Sequence, residues 1–253
     1  MCYDSNARPP VPPGVAGATQ TEDLVLTAAD GNRFAAYMAS PDEPAGAQVL
    51  IFPDVRGLHG FYKELAVRFA EQGIAALVID YFGRTAGLTA RDDSFEYMPH
   101  VQQIRFDTFQ SDVAAALAHL HAGTDHPTFT VGFCLGGMLS FQTGTQAEGL
   151  AGVIGFYAGL SRDFGAAGTL LDRAMGIKYP ALGLFGGADQ GIPVEQVETF
   201  DHELDRAGVE HEVVIYPSAP HSFFDRRAAE YADASADAWT RVLGFIGAHA
   251  QRS

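Results

Sequence analysis

Short, largely apolar runs recur along the chain, and the stretches between them return apolar residues at helical spacing. Val49-Leu50-Ile51-Phe52, Ala75 to Ile79, Thr128-Phe129-Thr130-Val131, Val153 to Tyr157, Ala181 to Phe185 and Glu212 to Tyr216 each predict a strand. Between them, Tyr62 to Glu71, Phe106 to His121 (with Val113, Leu117 and Leu120 on one face), Met138 to Thr143, Pro193 to Ala207 and Ala228 to His249 predict helices. Strands that are apolar on both faces and alternate with amphipathic helices imply a mostly parallel sheet covered on both sides. Ahead of this pattern, Leu24 to Ala28 and Phe34 to Met38 flank Asp30-Gly31-Asn32, which predicts a hairpin with Asp-Gly at its turn.

No repeat or composition break divides the chain, so residues 21–253 are expected to form one α/β domain. Residues 1–20, with Pro9, Pro10, Pro12 and Pro13 and no apolar periodicity, are expected to form a flexible arm. Two segments, 82–105 and 161–179, break the alternation. Connections of this kind collect beyond the carboxyl ends of parallel strands, and they are expected to wall a pocket there.

Charge narrows the choice of partners. Sixteen basic against 31 acidic residues leave a net charge of −15, with no basic stripe to neutralise phosphates. Nucleic acid and anionic membrane surfaces are therefore not expected as partners. Neither a secretory leader nor an apolar run approaching 18 residues is evident. Two cysteines, Cys2 and Cys134, make no disulfide framework, and a reducing cytoplasm is the expected setting. His119, His121 and His126 form the one metal-like cluster, but His119 and His121 are two apart on a helix and point away from each other, so no metal is expected.

The chemistry is concentrated at Gly132-Phe133-Cys134-Leu135-Gly136-Gly137. A strand, a G-x-C-x-G turn and a helix in that order describe a nucleophile elbow with cysteine in the serine position. Small residues two positions either side are needed because the sharp turn leaves no room for side chains. The helix that follows aims its first amides at the sulfur, which favours thiolate and later an oxyanion. A nucleophile needs a base, and the base needs an orienting group. Strand 181–185 runs into Gly186-Gly187-Ala188-Asp189, and strand 212–216 runs towards His221. Nucleophile, acid, histidine is the chain order of the α/β-hydrolase fold, so Cys134, Asp189 and His221 are the expected catalytic residues. An oxyanion hole would take the Leu135 amide and a second donor from Pro53-Asp54-Val55-Arg56-Gly57.

Phe52-Pro53-Asp54-Val55-Arg56-Gly57, the Gly-Phe-Cys-Leu-Gly-Gly elbow, Gly187-x-Asp189 and His221-Ser222-Phe223 together resemble dienelactone hydrolase and its relatives over roughly residues 22 to 250. The resemblance implies a single-domain α/β-hydrolase fold and a cofactor-free hydrolase of small esters or lactones. It implies Cys134, Asp189 and His221 as triad, a thioester acyl-enzyme, and the Val55 amide as second oxyanion donor. Asp54 stands near the nucleophile where the family has glutamate, and Asp225 stands four residues after the histidine where the family has an arginine. Arg56, Arg84, Phe223 and Arg226 are the expected substrate contacts, with Arg91 and Arg105 as further arginines in the irregular segment. A monomer or homodimer is expected. The rival expectation is a non-catalytic or redox-sensing member in which Cys134 is oxidised without turnover.

Overall fold

Asp30-Gly31-Asn32 closes the first hairpin: Gly31 takes φ 84° and the Asp30 carboxylate accepts the Asn32 amide at 3.2 Å. In the computed structural model, which describes residues 7–14, 16–163 and 168–251, the hairpin joins β1 (Thr19–Thr27) to β2 (Arg33–Pro41). The apolar runs follow as β3 (Gln48–Phe52), β4 (Ala75–Ile79), β5 (Thr128–Phe133), β6 (Leu150–Phe156), β7 (Ala181–Gly186) and β8 (His211–Tyr216). Their connections carry α1 (Gly60–Ala70), the short α2 (Gly83–Ala86) and α3 (Met98–Val101), α4 (Phe106–His121), α5 (Leu135–Thr143), the short α6 (Leu170–Arg173), α7 (Val194–Ala207) and α8 (Ala232–Ala250).

The strands lie in the order β1-β2-β4-β3-β5-β6-β7-β8, with β2 antiparallel to β1 and β4, and β3 to β8 parallel. Every residue of β3, β5 and β7 is buried, as expected for strands covered on both faces. The chain goes from β3 outward to β4 and returns across β3 to β5, so the strand order reverses there. Loops after β3 and β5 consequently part at their carboxyl ends and leave a crevice. The sequence places Val55 in one loop and Cys134 in the other.

Part of the expected arm is packed on the domain. Pro9 and Pro12 are buried, and the indole Nε1 of Trp239 on α8 donates to the Pro10 carbonyl at 2.9 Å. The buried Trp239 needs an acceptor, and proline, which lacks an amide proton, still offers its carbonyl. Cys2 lies outside the described residues. α8 begins at Ala232 rather than Ala228, because residues 221–231 turn across the carboxyl ends of the strands. His249 is buried with Nδ1 against the Phe245 carbonyl at 2.8 Å. Among the described residues, no helix is long and apolar enough to cross a membrane.

Candidate active site

Cys134 occupies the turn between β5 and α5 at φ 56°, ψ −112°, a conformation that costs a non-glycine residue on the order of 1–3 kcal/mol. Close packing imposes it. A Cβ on Gly132 would lie 1.9 Å from the Gly136 carbonyl oxygen, and one on Gly136 would lie 2.1 Å from the Phe52 carbonyl oxygen. Alanine at either position would push α5 away from the sheet. The Cys134 amide donates to the Phe156 carbonyl at 3.0 Å, and its carbonyl accepts from Met138 at 3.2 Å, so the backbone on both sides of the thiol is fixed. The Leu135 amide, at the first position of α5, has no backbone acceptor among the described residues.

Asp189 and His221 meet because the loops after β7 and β8 continue to pair beyond the strands. Gly187 donates to the Tyr216 carbonyl at 2.7 Å and Ala188 to the Ala219 carbonyl at 3.0 Å. Gly186 allows this approach, since a Cβ there would lie 2.4 Å from the Ala219 oxygen. His221 Nδ1 then lies 2.6 Å from Asp189 Oδ2, while Asp189 Oδ1 accepts the Gly191 amide at 2.8 Å. A carboxylate can only accept, so Nδ1 carries a proton and Nε2 is the nitrogen left for the cleft that His221 shares with Cys134. Burial opposes charge on the ring, but hydrogen bonds to Asp189 and Cys134, with their Coulombic attraction, prevail and push the His221 pKa up to about 10. Tyr157, at φ 36° just past β6, lays its ring 4.9 Å from the imidazole and limits its tilt.

The loop after β3 is held as firmly. The Tyr81 hydroxyl donates to the Asp54 carbonyl at 2.6 Å and to the Pro53 carbonyl at 3.0 Å. In a planar trans peptide the C=O of Asp54 and the N–H of Val55 point in opposite directions. Pinning the carbonyl on buried Tyr81 therefore turns the Val55 amide the other way, and Val55 lines the same cleft as Leu135. That cleft, about 630 Å³, brings together Val55, Cys134, Leu135, Asp189 and His221. Its walls include Met98 and Val101 from the segment 82–105, and Arg162 from the segment 161–179. Both irregular segments thus contribute to the pocket.

The expected substrate contacts divide. Arg226 lines the cleft. Arg56 does not: its side chain is 2% exposed, Nε and Nη2 grip Asp54 at 2.9–3.1 Å, and Nη2 also pairs with Asp225. Arg84 is held by Asp112 at 2.8–2.9 Å and by Asp30 at 2.7 Å, over the α2–α4 contact and away from the cleft. Arg91 is buried against Asp80 at 2.8 Å, and Arg105 is exposed beside Asp107. Phe223 is fully buried and packs on Tyr157 and Tyr216 under the histidine loop. Asp54 has turned from the thiol to Arg56, because a guanidinium two residues along the same loop completes a bidentate pair. Sequence reasoning missed Tyr81, Tyr157 and Arg162. Tyr157 directly follows β6 and Tyr81 comes two residues after β4, both at carboxyl ends of strands, which was the available signal.

His59 caps α1 and His100 stacks on Phe95; neither lines the cleft. His121 bonds Thr128 Oγ1 at 2.9 Å. Among the described residues, Asp201 and Asp205 of α7 and His211 at the start of β8 are the group whose ligand-type atoms converge, all within 4.8 Å, and none of them lines the cleft.

A family model described as Dienelactone hydrolase family matches residues 34–250. The chain belongs to the dienelactone hydrolase family. It is 27% identical over 230 residues to a "Putative carboxymethylenebutenolidase" of Yersinia pestis, covering 87% of this chain and 85% of that protein. It is 28% identical over 237 residues to a carboxymethylenebutenolidase of Pseudomonas putida, covering 89% of this chain and 96% of that one. Among solved structures, a "Putative Dienelactone Hydrolase" from Klebsiella pneumoniae superposes with a TM-score of 0.79 at 24% identity, over 91% of this chain and 99% of that chain. This last likeness concerns the fold, an α/β-hydrolase sheet with helices on both faces.

Proposed function

We propose that this member of the dienelactone hydrolase family, a carboxylic-ester or lactone hydrolase, works through Cys134, His221 and Asp189 by way of a thioester. The reading rests on one observation: a cysteine strained at an elbow and a histidine already oriented by a carboxylate at 2.6 Å open into the same cleft. His221, held protonated by Asp189 and Cys134, already carries the Cys134 proton on Nε2, and Sγ attacks the carbonyl carbon. The carbonyl oxygen takes the electron pair and is met by the amides of Leu135 and Val55. Collapse of the tetrahedral intermediate breaks the C–O bond, and His221 returns the proton to the departing oxygen. In a lactone that oxygen stays tethered to the acyl group. Water, deprotonated by His221, then attacks the thioester, and Cys134 leaves with its proton restored. Asp189 stabilises the imidazolium in both halves. A working thiol of this kind suits a reducing compartment such as the cytoplasm.

Intact-mass measurement after a brief pulse of p-nitrophenyl acetate tests the reading. The expected result is a single acetyl adduct on Cys134 that decays as acetate is released. No adduct, together with ready oxidation of Cys134 by peroxide, would favour the redox-sensing alternative.

The cleft also bears on substrate. Arg162 and Arg226 stand on a largely apolar wall with Met138 and Ile192, and a third arginine there, Arg227, is paired with Glu230 at 2.6 Å. Substrates carrying an apolar body and a carboxylate fit such a surface. With Arg56 and Arg84 committed elsewhere, the preference for a carboxylated lactone over its methyl ester is expected to stay under about tenfold in kcat/KM, below the 1.5–3 kcal/mol of a well-placed charged hydrogen bond. It should shrink in Arg226→Gln and in high salt. Equal rates for acid and ester in the wild type would remove both arginines from recognition.

A further inference from the structure

Asp54, Arg56 and Asp225 form a buried charged cluster behind the cleft, with side chains at most 5% exposed. Burying a guanidinium and two carboxylates is expensive, and apolar residues of the same volume would hold the loops at least as stably. What the cluster supplies is a defined geometry. Arg56 accounts for four contacts to Asp54: its own amide to Oδ1 at 2.9 Å, Nε to Oδ1 at 3.0 Å, Nε to Oδ2 at 3.1 Å, and Nη2 to Oδ2 at 2.9 Å. The same Nη2 pairs with Asp225, 169 positions away on the turn that follows His221. The guanidinium is flanked by the rings of Phe61 at 5.1 Å and Tyr62 at 5.4 Å on α1, which restrict its movement.

Val55 is the residue between Asp54 and Arg56. Both its neighbours are therefore anchored by side chains, and the peptide that carries its amide is anchored by Tyr81. We propose that Arg56 is a positioning residue: it ties the loop that presents the Val55 amide to the loop that presents His221, and so sets the second oxyanion donor at its working distance from Cys134. This rests on the hydrolase reading above, and it gives Arg56 a role other than the substrate contact expected from its place in the chain. Asp225 takes part as the anchor on the histidine side.

Two reactions of the same thiol separate this role from simple stability. Acylation by p-nitrophenyl acetate builds an oxyanion and needs the Val55 amide. Alkylation by iodoacetamide displaces iodide from a saturated carbon and needs no oxyanion donor. In Arg56→Met, acylation is expected to fall about 100-fold, the scale of losing one oxyanion-hole donor, while alkylation per folded thiol stays at the wild-type rate. Arg56→Lys, which keeps the charge without the bidentate fork, should fall between the two. If Arg56→Met does not fold, Asp225→Asn decides: it preserves shape, removes the far anchor's charge, and should slow acylation about tenfold with alkylation unchanged. Acylation and alkylation falling together, or acylation unaffected in the folded variants, would overturn the proposal. A wild-type protein that is alkylated but never acylated would overturn the parent reading and this one with it.

Discussion

Cys134→Ala should lower kcat/KM towards p-nitrophenyl acetate by about 10⁴-fold or more, because it removes the nucleophile that the elbow presents to the oxyanion donors. The residue left behind is a cleft that still binds ester and still offers the Leu135 and Val55 amides. Such remnants sustain only weak catalysis by bound water. The substitution removes a half-buried sulfur without touching the φ 56° backbone, which is held by Phe156 and Met138. The fold should therefore survive, and the loss should appear in kcat with KM little altered. Steady-state hydrolysis beside a thermal melt checks both points. Hydrolysis within tenfold of wild type, in protein free of contaminating esterase, would refute the cysteine mechanism.

The fold was legible in the sequence because the inner parallel strands are apolar on both faces and the long helical connections keep helical spacing. Cys134, Asp189 and His221 were legible for a related reason: each follows a strand, and strand ends of a parallel sheet lie at one edge. Residues whose role depends on a distant partner were not legible. Arg56 looks like a substrate arginine until Asp225, 169 positions later, is found on its guanidinium. Arg84 likewise meets Asp30 and Asp112, contributed by the hairpin turn and by α4. Pro10 packs because Trp239, near the other end of the chain, needs an acceptor. Periodicity reports which face of an element is buried, and it carries no information on which charged groups will share a buried space.

Asp189→Asn should reduce kcat by about 10³-fold, somewhat below the ~10⁴ of a serine enzyme, since a thiol needs less help to lose its proton. Asparagine has one acceptor where aspartate has two. If its oxygen faces His221 Nδ1, its NH₂ confronts the Gly191 amide, which donates to Asp189 Oδ1 at 2.8 Å. If the amide is reversed, its NH₂ faces Nδ1, and the proton moves to Nε2, where it blocks proton transfer from Cys134. The first orientation sets donor against donor, and the second satisfies the asparagine only by fixing the wrong tautomer of His221. The change should also be visible in stability. The His221 pKa is raised in the folded protein from its ordinary value near 6.5 to about 10, so the stabilisation it brings is complete below about pH 6.5 and is lost as pH rises through about 10. Removing the carboxylate narrows that window. The stability gap between wild type and Asp189→Asn, measured by urea unfolding, should be widest at pH 6, smaller at pH 8.5 and smallest above pH 10. A gap that stays constant across this range would show that Asp189 does not hold a proton on His221, and would withdraw the orienting role assigned to it.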